Sequence, residues 1–178
     1  MSNMTSNDTY GVIAKTFHWL VAGLLAAQYA VGWLMPHITR NTPKVGLVSW
    51  HVSLGATILA VLLLRLIWRL AFPVMPDTSL SGWELAASRI THAGLYILVV
   101  AMTVLGWAAA GYYGWEVDLF GLVPLPSLAA KGASWAHTAG DVHNGLQWFL
   151  LAFIVLHIAA ALYHYTIKRD QVLQRMLP

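Results

Sequence analysis

Two histidines bracket one apolar run, His143 and His157 in HNGLQWFLLAFIVLH. In an α-helix, fourteen steps of about 100° return to within roughly 40° of the starting direction, and a rise of 1.5 Å per residue separates the two side chains by about 21 Å. The imidazoles therefore share one face but lie too far apart to bind one metal ion or one porphyrin. Two separate centres are implied. The chain holds 8 histidines and no cysteine, which removes disulfides, thiolate-bound iron-sulfur clusters and covalent haem attachment through C-x-x-C-H. A redox centre here must be held by other ligands, and imidazole is the available one.

The elements that position these rings follow from composition. Of 178 residues, 58% are hydrophobic and 10% charged, and the mean hydropathy is +0.64, whereas soluble domains carry about 25% charged residues. A bilayer core about 30 Å thick needs ~20 mostly apolar helical residues per crossing. Four segments meet that length, at about 12–35, 48–70, 89–112 and 140–167, predicting an all-α integral membrane four-helix bundle as a single domain over 1–178. The first begins about ten residues in, runs too long for a signal-peptide core and has no small-residue cleavage pattern behind it, so it reads as retained. Lys15, Arg65, Arg69, Arg89, Lys168, Arg169 and Arg175 fall on one side of this arrangement and Arg40, Lys44 and Lys131 on the other, which predicts both termini in the cytoplasm. The same distribution accounts for the net charge of +3 without nucleic acid. Pro73 and Pro76 should end the second helix. The connection 114–139, with Trp115, Phe120, Pro124, Pro126 and Trp135, reads as an ordered cap.

Depth then sorts the histidines. Ionisable side chains inside membrane segments are costly and mark sites by default. His37 and His137 lie in or near exposed loops and read as solvated or capping. His18 lies inside the cytoplasmic end of the first helix and matches His157 in depth; His51 lies inside the outer end of the second and matches His143. Imidazole from two sides is the axial ligation of a low-spin electron-transfer haem, so these four residues predict two haem b groups, one per leaflet. Gly55 and Gly94 follow His51 and His92 closely and suit either a flat macrocycle or close helix packing. Arg65, Arg69 and Arg89 suit either haem propionates or snorkelling to the interface. His164, seven residues beyond His157, is placed about 10 Å closer to the cytoplasm. There it can hydrogen-bond and protonate a quinone carbonyl, or anchor the helix in the interface beside Tyr163 and Tyr165. His92 can assist at that site, contact a propionate, or pack. A histidine-lined metal transporter fits less well, because the four strongest histidines sit at two levels rather than along a path.

The stretches FHWL, SWHVSLG, HNGLQWFLLAFIVLH and ALYHYTIKRDQVLQRMLP resemble the bacterial cytochrome b561 family across nearly the whole chain. The resemblance implies a four-helix inner-membrane protein with two b haems on His18, His51, His143 and His157. It extends to a branch that oxidises superoxide at the periplasmic side and reduces ubiquinone, with a quinone site associated with the position of His164. Relatives of this fold also serve as haem-bearing anchors of hydrogenases and formate dehydrogenases, which makes an electron conduit fed by a partner redox protein the alternative function. No motif in 114–139 matches a known donor site.

Overall fold

The computed structural model describes residues 10–74 and 80–177; Pro76 lies outside them. Four helices carry the chain: α1 (Val12–Leu34), α2 (Leu47–Ala71), α3 (Gly82–Tyr113) and α4 (Ser134–Tyr163), the last continuing into a π-helical turn (His164–Lys168). Each is long and apolar enough to cross a membrane, and the chain is an all-α, multi-pass membrane protein. A two-stranded antiparallel ribbon, β1 (Val117–Asp118) against β2 (Pro124–Leu125), interrupts the α3–α4 connection.

Two expected boundaries move. The third helix starts at Gly82, not near 89, because Ser81 and Glu84 close a capping box: the Glu84 carboxylate accepts from the Ser81 N–H at 2.9 Å and the Ser81 side chain takes the N3 backbone. The fourth starts at Ser134, not 140. Gly140 does not break it, since a Cβ there would already stand 3.4 Å from Ala109 Cβ, and this close approach to α3 favours a glycine inside the helix. Trp135 and His137 consequently belong to α4 rather than to the connection. At the other end the α-helix stops at Tyr163 and the last turn widens.

α1 packs on α2, α2 on α3 and α3 on α4, while α1 faces α4 mainly through side chains, such as the Tyr29 hydroxyl donating to the Gln147 carbonyl at 2.7 Å. The core draws one or two residues from each helix: Val21, Ile58, Leu62, Val99 and Leu150. Gly94 serves close helix packing, because a Cβ there would run into the Phe153 ring on α4. Much of the outer surface is apolar, with Leu64, Ile97, Phe149 and Val155 among its exposed residues, as expected of helices facing acyl chains. Lys15 Nζ donates to the Leu177 carbonyl at 2.5 Å and Trp19 Nε1 to that of Met176 at 2.9 Å. Both ends of the described chain therefore meet at one end of the bundle, the terminal end; the ribbon closes the opposite, cap end.

Candidate functional site

At the cap end, α2 and α4 bring His51 and His143 together with ring centroids 6.1 Å apart and planes at 87°. Met102 of α3 fixes the second ring: His143 Nδ1 lies 2.8 Å from its carbonyl oxygen. Nδ1 must carry the proton to make that bond, so Nε2 keeps its lone pair, the usual arrangement of a histidine prepared to ligate a metal. Gln28 of α1 reaches the first ring, its amide nitrogen 3.3 Å from His51 Nε2 and 3.1 Å from the His51 carbonyl. Among the described residues, His51 Nδ1 and Gln28 Oε1 are buried without a hydrogen-bond partner. Each such atom costs about 1–3 kcal/mol, so this place is built for something that satisfies it.

Around the rings opens a cleft of about 1040 Å³ of space free of protein atoms, its mouth included. Glycines thin its wall. A Cβ on Gly106 would lie 3.0 Å from His143 Cε1, one on Gly32 3.4 Å from His51 Cε1, and one on Gly55 3.5 Å from Gln28 Nε2. Gly55 thus belongs to the cleft, and β1 closes it with Val117. Sequence reasoning does not single out Gln28, Gly32 or Gly106. The available signal was Gln28, a lone amide within the apolar run LLAAQYAVGW.

At the terminal end, α1 and α4 bring His18 and His157 to the same centroid separation, 6.1 Å, with planes at 64°. His92 of α3 lies closer to His157, at 5.2 Å, and its Nδ1 is 2.7 Å from the Ser88 carbonyl. Arg65 of α2 donates from Nη1 to His18 Nδ1 at 2.9 Å and from Nε to the Tyr96 hydroxyl at 3.0 Å. Among the described residues Arg65 makes no ion pair with a carboxylate. Arg69, one turn further along α2, lies over the Tyr10 ring.

His164 stands apart, on the π-turn. Its Nδ1 is 2.5 Å from Asp170 Oδ2, with the two side chains 12% and 16% exposed. Lys168 of the same turn pairs with Glu84 of α3 at 2.5 Å. His37 is exposed in the α1–α2 connection, and His137, on the first turn of α4, pairs with Asp141 at 3.2 Å on the surface.

The cap is ordered by specific bonds. Trp115 Nε1 donates to the Thr42 carbonyl at 3.0 Å. Asp118 accepts from Lys44, from the Gly121 N–H at 2.6 Å and from Ser53 Oγ at 3.2 Å. Lys44 is thus neutralised, leaving Arg40 and Lys131 as the exposed cations of this end. The hydrogen bonds from Lys44 and Gly121 hold the Asp118 carboxyl below its ordinary value. A carboxyl depressed in the folded state contributes stability above its unfolded value of about 3.9 and loses it as pH falls through the folded value. The cap should therefore loosen below about pH 4, and Asp118→Asn should show that looseness at neutral pH. Amide hydrogen exchange over 114–133 measures both; unchanged protection in the variant would contradict it.

Against this geometry the sequence comparisons are decisive: residues 9–178 match the family described as prokaryotic cytochrome b561. The chain belongs to that family. It is 30% identical to "Cytochrome b561 homolog 2" of Escherichia coli (strain K12) over 184 residues, 99% of this chain and 95% of that protein. It is 27% identical to "Probable superoxide oxidase CybB" of Yersinia pestis, across 95% of this chain and 96% of that one. "Cytochrome b562" of Cereibacter sphaeroides is 26% identical, with 98% of each covered. Membership in the cytochrome b561 family makes the chain an electron-transfer membrane protein and implies b-type haem.

Proposed function

We propose that this protein is a dihaem cytochrome b of the bacterial inner membrane, with the terminal end cytoplasmic and the cap end periplasmic, which oxidises superoxide at the cap and reduces ubiquinone at the cytoplasmic end. The observation that carries the reading is the repeated spacing of the two histidine pairs. Two imidazoles that would hold one haem iron between them must face each other within a few ångströms. Both pairs stand at 6.1 Å. His92 also lies near His157, at 5.2 Å; His18 is taken as the partner because its depth on α1 matches that of His157 on α4. The partnerless atoms and glycine wall of the cap-end cleft fit a flat group there.

His51 and His143 would hold one haem, His18 and His157 the other; bound there, each supplies a one-electron centre closed to oxygen ligation. Met102 holds the His143 tautomer. Arg65 occupies His18 Nδ1, the atom that must carry a proton when Nε2 ligates, so the guanidinium would turn to an anionic acceptor such as a propionate. His164 would serve the quinone. Two superoxide ions give two electrons and two O₂, and one ubiquinone takes the two electrons and two protons to become ubiquinol. Arg40 and Lys131 offer modest attraction for the anion.

A second reading has one observation in its favour. Leu122 is 84% exposed at the tip of the cap, next to Val123 and near Phe120, a surface that also suits a docked redox protein. Purified protein should show a b-type reduced-minus-oxidised spectrum with about two haems per chain, and should reduce ubiquinone rapidly when superoxide is supplied. A ratio near one sinks the dihaem assignment. Slow turnover with superoxide, together with co-purification of a soluble redox subunit, replaces the enzyme by the conduit.

A further inference from the structure

We propose that Asp170 is the positioning residue of His164: it holds the Nδ1 proton of that ring and leaves Nε2 as the nitrogen that serves a quinone carbonyl. The inference rests on the quinone reading of His164 given above and names the partner through which that reading works.

The local fold is arranged around this pair. The π-turn sends two successive N–H groups, of Arg169 and Asp170, to the His164 carbonyl. That closure requires Arg169 to adopt a left-handed backbone, φ 54°, which a non-glycine residue adopts at a cost. The turn thereby returns Asp170 beneath His164. Its Oδ2 lies 2.5 Å from Nδ1, while Oδ1 accepts from the Val172 N–H at 3.1 Å, so the carboxylate is held from the side away from the ring. Lys168, the neighbouring cation, gives its hydrogen bond to Glu84 of α3 at 2.5 Å. Tyr163 closes one side of the ring at 5.8 Å between centroids. Among the described residues His164 Nε2 has no hydrogen-bond partner.

A carboxylate on one imidazole nitrogen fixes the tautomer and aims the other nitrogen. A proton taken by the quinone leaves Nε2 of the doubly protonated ring for the carbonyl oxygen; the ring becomes neutral with Nδ1–H still on Asp170, and water at the cytoplasmic end restores Nε2–H. The two electrons arrive singly, and the second proton follows from Nε2 after water has reprotonated it, completing the quinol.

The test uses purified, haem-loaded protein, pre-reduced with dithionite and mixed with ubiquinone-1, following haem reoxidation against quinone concentration. Asp170→Asn keeps shape but allows the opposite tautomer; the maximal rate should fall about tenfold to a hundredfold with the half-saturating concentration changed less than about threefold, and Asp170→Glu should recover most of it. In a His164→Ala background Asp170→Asn should add nothing. A wild-type rate in Asp170→Asn, an additive loss in the double variant, or loss of the haem bands from Asp170→Asn each overturns the proposal, the last by making Asp170 structural. If His164→Ala itself reoxidises at the wild-type rate, the quinone site fails and Asp170 with it. If that variant is slow while Asp170→Asn is not, only the role of Asp170 fails.

Discussion

His143→Ala and His157→Ala are each expected to lower the haem content from about two per chain to about one, and to remove different haems. Each variant breaks one of the two pairs whose rings stand 6.1 Å apart and leaves the other with its full set of contacts. His143→Ala also strands the Met102 carbonyl that its Nδ1 now occupies, and among the described residues no third histidine lines the cleft to substitute. In His157→Ala the nearby His92 keeps an Nε2 lone pair, since its Nδ1 bonds the Ser88 carbonyl, but it projects from α3 rather than α4. A residual five-coordinate haem there would betray itself as loss of the low-spin spectrum. Potentiometric titration of the two proteins distinguishes the centres, because each should retain one midpoint and lose the other. Loss of both haems from either single change would show that the levels are not independent.

The second large effect is expected from a residue that touches no iron. Gly106→Leu keeps every histidine but fills the cleft where a bare Cβ already comes within 3.0 Å of His143 Cε1. Overpacking of this kind costs about 1–3 kcal/mol in an ordinary core; here the added side chain also competes directly with the flat group. The variant should fold, keep the terminal-end haem and lose the cap-end one. Gly94→Leu is the control, since Gly94 is more tightly packed but against Phe153, outside the cleft. It should weaken the whole bundle without a selective spectral change. A full complement of haem in Gly106→Leu would mean that the cleft is not where the group sits.

How much of this was legible in the sequence depends on which physical quantity each feature reflects. The four spans are readable because apolar length is a direct measure of bilayer thickness. Matching His18 to His157 and His51 to His143 needs only helix rise and depth, and the structure brings those rings together in those combinations. Boundaries were harder. The capping box at Ser81 and Glu84 lies among polar residues where hydropathy has already fallen, and the first turn of α4 extends beyond its apolar stretch. The bonds that hold the rings could not be read, because Gln28 to His51, His143 to Met102 and Arg65 to His18 depend on which helix faces meet. The π-turn was likewise hidden: one wider turn changes the direction of everything after His164, and HYTIK carries no sign of it. Lys44, counted among the cations of the outer side, proves to be spent on Asp118, a partner 74 residues away.

The apolar exterior sets what stability means for this chain. Among the described residues the central core cluster is small, and Leu64, Ile97 and Val155 are exposed. In lipid there is no hydrophobic gain from pressing such helices together. What binds them is contact at short range, Phe153 against Gly94 and Tyr29 across to Gln147, in competition with acyl chains for the same surfaces. The free energy of this fold is therefore a joint property of polypeptide and solvent. A melting temperature recorded in one detergent describes that mixture, and it should move with the tail length of the amphiphile while the sequence stays the same.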